Sequence, residues 1–130
     1  MRIVHIVAIS ALCALMAGNS RAAHHSFAAE FDASQPVTIE GVVTKVEWTN
    51  PHVWFFVNVE DPDTREIVNW GAEMGSPNAL VRNGWTPNTL GIGMVVTVDG
   101  SRAKDGSHKM NTRTVMVDGE RLGAATSELR

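Results

Sequence analysis

Two adjacent histidines stand directly behind an export-type leader, and the chemistry they could do depends on where the chain is cut. Arg2 opens a short positive region, Ile3 to Ala17 is apolar, and Ser20-Arg21-Ala22 sets small residues at the two positions a signal peptidase inspects. Residues 1–22 therefore read as a secretory signal peptide, too short and wrongly flanked for a membrane span. Cleavage after Ala22 would leave Ala23-His24-His25 at the new terminus, a free α-amine with an imidazole in the third position. Such a terminus can wrap a square-planar Cu(II) or Ni(II) through the amine, two deprotonated amides and the ring of His25. Cleavage one residue later would make His24 the terminus, a two-point clamp of amine and imidazole, but Arg21 at an inspected position disfavours that cut. The plainer reading is a solvated arm, because short motifs also match by chance.

Further ligands are in reach of the sequence argument. His52 follows Pro51, between Trp48 and Trp54, where proline fixes the approach of the chain to the mouth of a strand. It could join the histidine pair or simply satisfy a loop carbonyl. His25 and His52 could meet only if the arm carrying Phe27 and Phe31 folds back over the domain, which two apolar rings on a polar arm favour. Met74 and Met110, near strand ends, are soft thioethers able to hold Cu(I). Met94 and Met116 instead fall on strand positions that suit core packing. The candidate metal set is thus Ala23, His24, His25 and His52, extended by Met74 and Met110, and copper is the one cofactor in view. His108, next to a glycine turn, reads as exposed.

The second candidate is aromatic. Trp48, Trp54, Trp70 and Trp85 are many tryptophans for this length, and most suit the core or a barrel end. Trp54 and Phe56 share the strand parity opposite Val53, Phe55 and Val57, so one of the two faces must be covered by the arm, the helix or a partner. Trp48, Trp54 and Phe56 therefore form a candidate binding face for a larger periplasmic protein. Aromatic platforms of this kind also stack bases or sugars. Catalytic signatures are missing: Gly75-Ser76-Pro77 lacks the nucleophile-elbow pattern, and there is neither HExxH nor a phosphate-cradling glycine loop. Glu30, Asp32 and Glu73 could flank a cleft, but carboxylates on a small domain are usually solvated. A non-catalytic binding protein is expected.

Composition narrows the partners. The single cysteine, Cys13, lies inside the leader, so the exported domain has neither a disulfide nor a thiolate site. Leu12 and Ala14-Leu15-Met16 around it do not resemble a lipid-attachment signal, so no membrane anchor is expected. Subtracting 22 residues from 130 leaves 108, enough for one compact domain. The leader removes Arg2 and Arg21 and no acid, so nine basic residues face 14 acidic ones and the net charge falls near −5. Such a surface argues against nucleic acid, whose affinity is built by Lys and Arg on phosphates. It argues equally against anionic lipid. A metal ion, a small molecule or a periplasmic protein remains.

The elements that must position these residues are mostly strands. Val37 to Trp48 reads as a long first strand whose apolar parity flips at Gly41, as a bulge or bend there would require. Val53 to Val59 alternates as a second strand, Asp61-Pro62-Asp63 turns, and Ile67 to Glu73 is a third. Ser76 as cap, Pro77 in the first turn and Gly84 as terminator predict a short helix. Met94 to Val98 and Asn111 to Val117 complete five strands, with turns at Asp105-Gly106 and Asp118-Gly119. Three strands, a helix and two strands predict a mainly β fold, a small five-stranded OB-like Greek-key barrel with the helix between strands three and four. The layout expected is a leader over 1–22, an arm over 23–36, the barrel over 37–122 and a flexible tail over 123–130.

These segments resemble a family of small secreted bacterial proteins classed as a domain of unknown function. The shared stretches are Ala23-His24-His25-Ser26-Phe27 with Glu30-Phe31-Asp32, Glu40-Gly41-Val42-Val43, and Trp48-Thr49-Asn50-Pro51-His52. They continue through Met74-Gly75-Ser76-Pro77-Asn78, Arg82-Asn83-Gly84-Trp85 and Gly100-Ser101-Arg102-Ala103-Lys104-Asp105-Gly106. The resemblance implies export and a compact β domain, and transfers no activity or site.

Overall fold

The structure is a computed structural model that describes residues 26–129. It is mainly β. A short helix, α1 (Ser26–Glu30), runs into the 17-residue strand β1 (Phe31–Glu47), followed by β2 (Trp54–Glu60) and β3 (Ile67–Glu73). Helix α2 (Pro77–Arg82) then leads to β4 (Val95–Ala103), β5 (Lys109–Val117) and the two-residue β6 (Glu120–Arg121). The sheet order is β3-β2-β1-β4-β5-β6, and an additional parallel pairing joins β3, at one end of it, to β5, next to the other end. The other pairings are antiparallel.

Strand parity decides which faces turn inward. Val53, Phe55 and Val57 have no exposed surface and pack with Val43, Val96, Val98 and Val115. Burying each such side chain is worth about 1.5–3 kcal/mol. A one-residue slip of β2 would turn all three outward and forfeit a large part of the roughly 5–15 kcal/mol that holds a domain together. Glycines mark the two tightest crossings. A Cβ on Gly41 would lie 2.0 Å from the Asn58 carbonyl oxygen, and one on Gly100 would lie 1.9 Å from that of Asn111. Only a residue without a side chain lets the backbones approach so closely.

The short helix forms as its signals imply. Ser76 is the cap, its hydroxyl accepting from the Ala79 amide at 3.3 Å, Pro77 opens the first turn and Asn83 closes the last. Ala79 and Leu80 plug the core beneath it.

Several expectations are corrected. Gly41 is not where the parity changes: Val37, Ile39, Gly41 and Val43 keep one phase, and the β1–β2 register slips between Val43 and Lys45. Residues 31–36, expected in the arm, are the start of β1. Phe31 pairs with Ala103 and Asp32 with Arg102 before an irregularity reaching Pro36, and Phe31 is buried. A second helix, α1, and a sixth strand, β6, were not foreseen. The segment expected as a flexible tail is packed: Ala125 is fully buried and accepts from the Gly75 amide at 2.9 Å. The Trp85 indole donates to the carbonyls of Gly123 and Ala124 at 3.2 and 3.1 Å. Its sequence is small and polar, so its anchoring by a distant tryptophan has no local signal.

Candidate functional site

Because Phe55 and Val57 of β2, with Val53 just before it, point inward, Trp54 and Phe56 must stand on the outer face. The register then builds rows across four strands. One row runs from Lys45 through Phe56 and Gly71 to Lys109, and the next from Glu47 through Trp54 and Glu73 to Asn111. The two rings lie 6.5 Å apart at 22° to each other. Gly71, directly opposite Phe56, has no side chain to keep the rings off the sheet. A Cβ there would meet Phe56 Cε1 and Trp54 Cζ3 at 3.4 Å, so the rings lean over the glycine.

The outcome is an open groove of about 360 Å³ lined by Glu47, Trp54, Phe56, Asn69, Gly71, His108 and Lys109. Its volume lies in the range of small-ligand sites. Several groups around the groove are held. Lys45 pairs with Glu47 at 2.5 Å, and its ammonium sits 5.5 Å from the centre of the Phe56 ring. The Asn69 amide donates to Asn58 at 2.8 Å and to Thr44 at 3.2 Å, which fixes its carbonyl oxygen. The Ser107 amide donates to Asp105 at 2.9 Å, closing the turn before His108, whose carbonyl accepts from Gly71 at 3.0 Å. The His108 ring meets Trp70 edge-on at 5.2 Å, and the Arg102 guanidinium lies 5.5 Å from the centre of the same indole.

Beyond Trp54 the outer face is closed by the C-terminal segment, and a polar cluster is buried there. His52 Nε2 lies 4.0 Å from the Glu73 carboxylate, and His52 Nδ1 is buried with no hydrogen-bond partner among the described residues. Burial raises the Glu73 carboxyl above its ordinary 4.5, opposed by the nearby His52 and by the side chains of Ser127 and Asn111. Asn111 in turn donates to Ser127 and accepts from Thr126 at 3.1 Å.

The two candidate sites of the sequence fare differently. Trp54 and Phe56 come together in the groove, while Trp48 packs partly buried against the core and is not among the lining residues. Ala23, His24 and His25 lie outside the described residues. Met74 and Met110 are buried in the hydrophobic core. Met94, expected in the core, is instead partly exposed on the surface. Among the described residues no three His, Cys, Asp or Glu side chains converge as a metal-binding group. His108, read as merely exposed, and Glu47, Gly71, Asn69 and Lys109, not singled out at all, complete the groove. Only the long-range β3–β5 pairing brings Lys109 beside Gly71, so no local pattern could have disclosed it.

A mainly β domain with an aromatic groove on its outer face is the class these features define. The chain belongs to the Family of unknown function (DUF6152), which matches residues 12–112 and so takes in every groove residue. A comparison with curated proteins finds no match.

Proposed function

We propose that this is an exported, non-catalytic binding protein that seats its ligand in the groove over Gly71. The observation that carries the reading is the pair Trp54 and Phe56, two large rings laid over a glycine and left partly exposed between polar groups. Large apolar rings kept at a surface cost solubility unless something covers them. The scaffold is read as an OB-like Greek-key barrel. The β3–β5 pairing, the order of the strands and the position of α2 between β3 and β4 support it. The periplasmic or secreted location rests on the leader over residues 1–22; among the described residues no helix is long and apolar enough to cross a membrane.

Soaking crystals with small aromatic and polyol fragments tests the site. The expected result is fragments gathered over Trp54, Phe56 and Gly71. Fragments gathered instead on the exposed Val42, Ile67 and Val95 side chains, with the groove empty, would refute it.

A second reading rests on the sequence Ala23-His24-His25: after cleavage at Ala22 this terminus chelates one Cu(II) through its amine and His25. Protein that begins at Ala23 should develop the visible band of a square-planar nitrogen site. Acetylating the amine or replacing His25→Ala should abolish the band, and acid should weaken it because the ligands must lose protons to bind. Copper uptake that survives acetylation would exclude this terminus as the site.

A further inference from the structure

Resting on the groove reading, we infer that the ligand is a neutral, hydroxyl-rich chain, an oligosaccharide whose ring faces stack on Trp54 and Phe56. Three features of the site select this class. First, β2 is hydrogen-bonded on both sides, to β1 and β3, and β3 is bonded to β2 and β5. Along Gly71–Glu73 the groove floor thus offers no free strand edge, and an extended peptide could add as another strand only along residues 67–70, outside the Gly71 row. Second, the site carries charges of both signs. Lys45 is paired with Glu47, Lys109 stands at the opposite side of the Gly71 row, and Glu47 lies in the neighbouring row. An anionic ligand meets the Glu47 carboxylate and a cationic one meets Lys109, whereas hydroxyl groups can accept from the ammonium and donate to the carboxylate. Third, the polar groups ring an apolar floor. The side-chain carbonyl of Asn69, the ammonium of Lys109 and the carboxylate of Glu47 supply acceptors and donors around the two rings. A sugar ring has the matching pattern, with C–H faces above and below and hydroxyls around its edge. Nucleic acid, which also stacks on aromatic platforms, needs a continuous positive track for its phosphates, and the Glu47 carboxylate interrupts this rim.

The test is calorimetric titration of the exported chain with cellotriose and, separately, with N-acetylchitotriose, which distinguish plain from acetamido sugars. Saturable binding of at least one trisaccharide is expected. Trp54→Ala should weaken it about tenfold or more, as for a central aromatic anchor. Lys109→Ala and Asn69→Ala, at exposed rim positions that do not carry the fold, should each weaken it several-fold, and Val95→Ser on the far surface should leave it unchanged. No binding of either sugar by folded wild-type protein would overturn the inference, as would binding indifferent to all three groove variants. Fragments over Trp54 and Phe56 without sugar binding would discard the ligand class and keep the site. A peptide rich in Trp and Pro binding in place of the sugars would assign the groove to a protein partner.

Discussion

Gly71→Ala separates what the fold needs from what the groove needs. A methyl at this position would meet Phe56 Cε1, Trp54 Cζ3 and Trp54 Cε3 at 3.4, 3.4 and 3.6 Å. These are ordinary contacts with ring atoms that can tilt away, so the overlap term is small, and each contact adds only about 0.1–0.2 kcal/mol of dispersion. Replacing glycine where the backbone tolerates alanine stabilises by about 0.4–1 kcal/mol through the unfolded chain. The sum is a gain of about 0.5–1 kcal/mol, or roughly 2–6 °C in Tm for a domain of this size. The same methyl lifts both rings and occupies the groove floor, so ligand binding should fall. Thermal unfolding followed by circular dichroism, with fragment or sugar binding measured on the same samples, reads both effects. A marked drop in Tm would show that the rings have no room to yield. An unchanged Tm with undiminished binding would show that the bare floor has no part in recognition.

Two substitutions and one truncation bear on the scaffold and its buried charge. Gly41→Ala forces a methyl into the Asn58 carbonyl, where the built distance is 2.0 Å, and should cost about 3 kcal/mol or more in urea unfolding. Ending the chain after Leu122 removes the buried Ala125 and the acceptors of the Trp85 indole and the Gly75 amide. That truncation should cost about 2–4 kcal/mol, read as a lower Tm; an unchanged Tm would mean that the segment is an inert tail. Glu73 binds its proton more tightly in the folded chain than in the unfolded one, because burial raises its pKa. Its contribution to stability is therefore fully present below pH 4.5 and is lost as pH rises through the folded value. Glu73→Gln should remove that part of the slope in Tm measured from about pH 4 to 8, and parallel profiles for the two proteins would contradict the assignment.

Local signals in the sequence were enough for some elements. Alternation at Val53, Phe55 and Val57 marks β2 and its inward face, and the Ser76, Pro77 and Gly84 punctuation marks α2 within a residue. The bounds of β3, Ile67–Glu73, follow from its flanking turns. Elements set by distant partners were not legible. Asp32 to Pro36 is polar and without period, and only pairing with β4 makes it strand. Glycine in a strand permits either a bulge or a close approach, so the sequence points to Gly41 for the irregularity that lies at Thr44, and the neighbour that decides is Asn58. For the site, parity exposed Trp54 and Phe56, yet Lys109 and Gly71 meet through a parallel pairing between strands 38 positions apart. Methionine is ambiguous by chemistry, and burial alone removed Met74 and Met110 from the surface.

The four tryptophan indole N–H groups report on the groove most directly, because Trp54 lies in it and Trp85 is tied to Gly123 and Ala124 in the interior. In ¹⁵N-labelled protein titrated with the aromatic and polyol fragments, the Trp54 indole should move progressively and saturate while the Trp85 indole stays in place. A Trp54 signal that remains fixed while amides elsewhere on the surface shift would contradict the groove as the binding site.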